Sequence, residues 1–187
     1  MSADAIARIH QLLATPEPPE LGPGPRANAQ PQAALNSALD MAVRDTGLPA
    51  ANQHLIRALL LLWHDHLEAA HVISQGIENP DGSLVHAIMH RREPDYSNSK
   101  YWWRRVGRHP CFSEITRRVT DFMKSKGERD LAAKLAPRGE WDAFAFVDAC
   151  EAAAGLPAAD TRVRLLREIQ RIESECALAR FLESEAR

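Results

Sequence analysis

Apolar residues recur every three or four positions along most of the chain, and strand-type alternation is absent. That period predicts an all-α fold, a single helical domain of packed hairpins arranged as a bundle or a short repeat. Residues 2–14 form a short first helix with Ile6, Ile9, Leu12 and Leu13 on one face. Helical patterning resumes at 33–45 and stops at Thr46-Gly47-Leu48-Pro49, where glycine and proline terminate it. The next stretch places Ile56, Leu60, Trp63, Leu67, Ala70 and Ile77 at spacings of three, four and seven, so one long helix fits it. Asp65 and Glu68, however, form a D-x-x-E pattern that resembles a capping box. This favours two helices with a tight turn at His64-Asp65, Asp65 capping the second. Asn79-Pro80-Asp81-Gly82 marks a turn before a helix over 83–92, which Pro94-Asp95 breaks. Asp95 or Ser97 then caps a helix ending at Val106. Further helices are expected at 112–125, 127–135, 140–154 and 160–185.

Six of the twelve prolines lie between Pro16 and Pro31. Proline fixes φ and lacks an amide donor, so this segment reads as a linker or extended arm. The chain therefore divides into an N-terminal helix plus arm, 1–32, and a helical domain, 33–187. The first helix is either docked on the body or a detached tail; docked on a neighbouring chain, it makes a swapped homodimer.

Composition narrows the function classes. The net charge of −2 argues against nucleic-acid binding driven by bulk charge. Three scattered cysteines without a CxxC pair suggest neither a zinc ribbon nor a disulfide framework, and Cys111 has only His109 beside it as a base. The first residues lack the basic start and long apolar run of a secretory signal, and the longest apolar run is far too short for a membrane span, so a cytoplasmic location without membrane contact is expected. There is no P-loop, no GxGxxG and no GxSxG elbow.

The concentrated chemistry lies in residues 63–109, which hold six of the eight histidines, three of the four tryptophans and both tyrosines. His86 and His90, four apart on one helix, project from one face and can chelate a divalent metal. The residue after His86 is Ala87, so the metalloprotease H-E-x-x-H pattern is absent, while Glu93 could add an oxygen ligand. His64, Glu68 and His71 share a face if the helix runs through. Facing His86 and His90, they would complete a set of five ligands for a divalent transition metal. A second constellation is aromatic and basic: Tyr101, Trp102, Trp103, Arg104, Arg105 and Arg108, with Arg91, Arg92, Tyr96 and Lys100 nearby. Arginines beside aromatics suit a protein partner or a phosphate-bearing small ligand. At least one of the two adjacent tryptophans belongs to the core. Near the C-terminus, Trp141, Phe144 and Val147 mark a core helix. In TRVRLLREIQRIESECALARFL the arginines and glutamates read mostly as a solvated face, opposite a stripe through Val163, Leu166 and Leu178.

HDHLEAAHVIS and EPDYSNSKYWWRR align with Asp65 on Asp95 and His71 on Tyr101, an offset of about thirty residues. Over 55–108 this resembles tetratricopeptide and Sel1-like helical hairpins. The blocks WHDHLEAAH, DGSLVHAIMHRREPDYSNSKYWWRRVG and EWDAFAFVDACE are also similar to a set of helical proteins of bacteria and fungi without known activity, across most of 55–175. These resemblances imply stacked hairpins and carry no catalytic residues across. Two functions follow: binding of a partner or small ligand through the His/Trp/Arg face, or a metal-dependent hydrolase or oxygenase built on the histidines.

Overall fold

The structure is a computed structural model, and it describes residues 3–44 and 46–183. The described residues form ten α-helices and no strand: α1 (Ala3–Leu13), α2 (Gln32–Val43), α3 (Ala50–Trp63), α4 (Leu67–Ser74), α5 (Pro80–Arg92), α6 (Tyr96–Val106), α7 (Phe112–Ser125), α8 (Arg129–Leu135), α9 (Ala143–Ala153) and α10 (Thr161–Leu182). Among the described residues, no helix is long and apolar enough to cross a membrane.

Three helices form the centre. In α3 every residue from Ala58 to Trp63 is buried, and in α5 every residue from Gly82 to Arg92. Helices covered on all sides lose the one-sided apolar stripe of a surface helix. The hairpins α3–α4 and α5–α6 pack side by side, α4 against α5. α10 crosses behind them against α3, α7 and α9. Its sequence reads as half solvated, yet Arg167, Gln170 and Glu173 are all buried. Glu173 pairs with Arg91 of α5, both side chains wholly inaccessible, and the Arg91 guanidinium also lies 4.4 Å over the Phe146 ring. The polar residues that break the stripe of α10 thus face polar partners inside the protein.

The turn at 64–65 exists, but Asp65 does not cap α4. His66 occupies the N-cap position, without a side-chain bond to the helix. Asp65 instead terminates α3. It sits at φ 66°, with its amide donating to Leu62 and the His66 amide to Leu61, the double bond of a Schellman end in which glycine is the usual residue. Its carboxylate is thereby free to pair with Arg26 at 3.0 Å and Arg92 at 2.6 Å. The second hairpin closes with the outer of these two bonds alone, the Asp95 amide donating to His90, because Pro94 has no amide for the inner one. His66 therefore corresponds to Asp95, one residue off the alignment of Asp65 on Asp95. Asp95 does cap α6, accepting from the Asn98 amide. Asn79-Pro80-Asp81-Gly82 is the start of α5 rather than a separate turn. Asn79 accepts from Gly82, and a Cβ on Gly82 would lie 2.2 Å from the Ile77 carbonyl oxygen.

The proline-rich arm is built into the body. α1 packs on α2 and α3, and the arm then runs over α10, α5 and the end of α3. Its prolines have no amides to satisfy, so its carbonyls are what need partners. Buried side chains supply them: Arg167 donates to Pro18 and Pro19, Gln170 to Pro19 and Glu20, and Arg92 to Glu20 and Gly22. His64 closes the arm. Its Nδ1 accepts from the Gln30 amide at 3.0 Å, so Nε2 carries the proton donated to the Leu12 carbonyl at 2.8 Å.

Candidate functional site

His71 on α4 and His86 and His90 on α5 converge. Each offers a ring nitrogen within 4.8 Å of the others. The rings of His86 and His90 stack at 4.8 Å, and His71 meets them edge-on at 4.7 and 5.3 Å. His86 is 2 % exposed, and neither of its nitrogens has a hydrogen-bond partner in the protein. A buried polar group left unpaired costs about 1–3 kcal/mol, so this imidazole is there at the expense of stability. Burial, reinforced by the neighbouring His90 and His71, pushes the His86 pKa down to about 3. Burial also lowers that of His90, against the pull of Glu93.

The tautomer of His90 follows from its partners. The Glu93 carboxylate can only accept, so Nδ1 carries the proton and donates to it at 3.0 Å, leaving Nε2 with a lone pair; the Asn98 side-chain Nδ2 lies 3.1 Å from Nε2 and 3.4 Å from Nδ1. Glu93 is the C-cap of α5, close enough in sequence to have been named beforehand. Asn98 lies beyond the Pro94 break, where no local spacing points back to His90.

The other residues proposed as ligands go elsewhere. His64 is engaged with the arm, 0 % exposed. Glu68 is exposed on α4, outside the cluster. The break between α3 and α4 removes the continuous face that would have aligned His64 with Glu68 and His71.

The aromatic–basic group divides into core and rim. Trp103 is 2 % exposed and packs near Phe112. Arg91 and Arg92 are buried in ion pairs. Trp102 is half-buried and stacks face to face on His86 at 3.9 Å, with Tyr101 edge-on at 5.4 Å and the Arg105 guanidinium over the indole at 5.2 Å. Tyr101, Arg104, Arg105 and Arg108 are exposed. Arg104 turns to the other side and lies over the Phe144 ring of α9 at 5.7 Å, so the rim joins the histidine cluster through Trp102, with Tyr101 and Arg105 against it.

A second cluster was read only in part, His109 being noted beside Cys111 but Asp81 not. His109 donates from Nε2 to Asp81 at 2.7 Å, while Nδ1 accepts from the Cys111 amide and faces the Cys111 thiol at 2.8 Å. Asp81 lies 28 residues upstream, too far for sequence spacing to suggest it. The arrangement ties the α6–α7 loop to the first turn of α5, and burial pushes the Cys111 thiol well above its ordinary value. All three cysteines are buried and free. A cleft of about 790 Å³ lies between the arm, α7 and α10, lined by Pro16, Phe122, Lys126, Arg164 and Leu165 together with Pro18, Glu20 and Arg167 of the arm's clamp, and by none of the histidines or aromatic residues of this site. Comparisons with protein-family models, curated proteins and solved structures found no match.

Proposed function

We propose that this protein binds a divalent transition metal through His71, His86 and His90, using the face formed by α4, α5 and α6. The observation that carries the reading is the convergence of three ring nitrogens within 4.8 Å around a buried imidazole with no other partner. The donor set is chemically suited to zinc, copper, nickel or cobalt, which imidazole binds well. Ligand nitrogens around a tetrahedral ion with bonds near 2.0–2.1 Å stand roughly 3.4 Å apart, so loading requires an inward closure of about 1.4 Å. Glu93 behind His90 is the outer carboxylate that fixes the ring and leaves Nε2 as the metal-facing lone pair. The Asn98 amide gives way to the ion. Low pKa values keep His86 and His90 neutral at neutral pH, so protons do not compete for these nitrogens. Three protein ligands leave a fourth position open, as in sites where a metal activates water or polarises a bound ligand.

The test is metal content by mass spectrometry on tag-free protein dialysed against zinc, copper, nickel and cobalt in turn. The expected result is near-stoichiometric retention of at least one metal, lost in His86→Ala/His90→Ala and retained in Glu68→Ala. Substoichiometric metal that does not respond to the histidine substitutions overturns the reading.

A further inference from the structure

We infer that the cleft between the arm, α7 and α10 is a second ligand site, built for a carboxylate that carries an apolar tail. None of the three clustered histidines lines it, so the site is independent of the metal reading. Its volume of about 790 Å³ suits a small organic molecule, since pockets for such ligands span roughly 300–1,000 Å³. One wall is held in place by a buried side chain. Arg167, 7 % exposed, stands in the lining and donates to the Pro18 and Pro19 carbonyls. It also pairs with Glu17 and Glu20, each at 3.3 Å. The proline-rich arm is thus one wall of the site, fixed against the first two turns of α10.

The charges of the lining do not all have partners. Its three carboxylates are answered, Glu17 and Glu20 by Arg167, and Glu168 by Arg171 at 2.8 Å. Lys126 and Arg164 are exposed, and no carboxylate among the described residues pairs with either. Lys126 lies 5.7 Å over the Phe122 ring. Two such cations on one cleft favour an anion: a guanidinium takes a carboxylate through paired bonds, and an ammonium adds a point charge. The three carboxylates of the same lining repel each further negative charge, so a monoanion fits the balance better than a dianionic phosphate. Phe122, Leu165, Pro16 and Pro18 supply apolar surface against which a tail is withdrawn from water.

The experiment is calorimetric titration of the chain, as purified and again after chelation, with decanoate below its micelle concentration. Acetate, decyl phosphate and decyltrimethylammonium are titrated alongside. Saturable binding of decanoate is expected in both preparations, weaker binding of decyl phosphate, and none of acetate or decyltrimethylammonium. The decanoate Kd should rise at least about tenfold in Lys126→Ala/Arg164→Ala. It should not change in Lys134→Ala, which removes an exposed lysine of α8 outside the cleft. Both side chains of the double variant are exposed, so its urea midpoint should match that of the parent. Absence of saturable decanoate binding, equal binding of decyltrimethylammonium, or a Kd indifferent to the double variant overturns the inference. Tighter binding of decyl phosphate overturns the assignment to a carboxylate. None of these outcomes bears on metal retention by the histidines.

Discussion

His86 places an imidazole without partners where a leucine would pack without cost to hydrogen bonding. Its folded pKa of about 3 lies below the ordinary histidine value of about 6.5. Between those values the unfolded chain binds a proton that the folded chain refuses, so stability is whole above about pH 6.5 and declines as pH falls towards 3, by up to about 1.4 kcal/mol per pH unit for this one group. His64 and His90, whose pKa values burial also lowers, act in the same sense. Urea unfolding of metal-free protein at pH 7 and pH 5 should show a lower midpoint at pH 5. His86→Leu should raise the midpoint at both and flatten, without abolishing, the difference. A stabilised variant that no longer holds metal is what a residue retained for function rather than for the fold produces. The neighbouring tryptophans separate in a comparable way. Trp103→Ala empties a core site and should cost about 3–5 kcal/mol, whereas Trp102→Ala, which uncovers His86, should cost far less stability and should weaken metal retention, as read by unfolding and by metal titration.

At the scale of elements, the junction of α3, α4 and the arm turns on Asp65, which answers two buried arginines. Removing one partner of a buried ion pair costs about 3–5 kcal/mol, because the other charge is left uncompensated. Arg92→Ala should fall in that range by chemical denaturation, and it also releases the carbonyls of Glu20 and Gly22. Gly24 supplies a second test. Its φ is +82°, and a Cβ there would lie 2.8 Å from the Asp65 carboxyl carbon, so Gly24→Ala should lower the unfolding midpoint without touching any charge. The position of this turn was legible in the sequence; the role of Asp65 was not. An aspartate three residues before a glutamate looks the same whether it caps the next helix or ends the previous one. What decides is Arg26 and Arg92, 39 and 27 residues away. Asp95 had no such competing partner, and of the two caps the sequence offered, Asp95 or Ser97, it is the one that forms.

For the whole molecule, helical periodicity sufficed for the all-helical class, because period survives in any helix with at least one apolar face. It failed to reveal how deeply α10 is buried, since a helix covered on all sides can carry Arg167, Gln170 and Glu173 against internal partners and still look like a surface helix. Glu173→Ala should therefore cost about 3–5 kcal/mol in equilibrium unfolding, while Arg91→Met/Glu173→Leu should be close to neutral. The histidine-rich window was likewise visible, but which three histidines meet depended on α4 turning back against α5. The clamp on the arm has a consequence for the order in which the chain is made. Arg167 and Gln170 reach back 148 and 151 residues to Pro19. During synthesis the hairpins α3–α4 and α5–α6, whose contacts are local, are complete well before α10 emerges. The arm, translated before these helices, finds its last partners only when α10 has been made, so its closure waits on contacts the hairpins do not need.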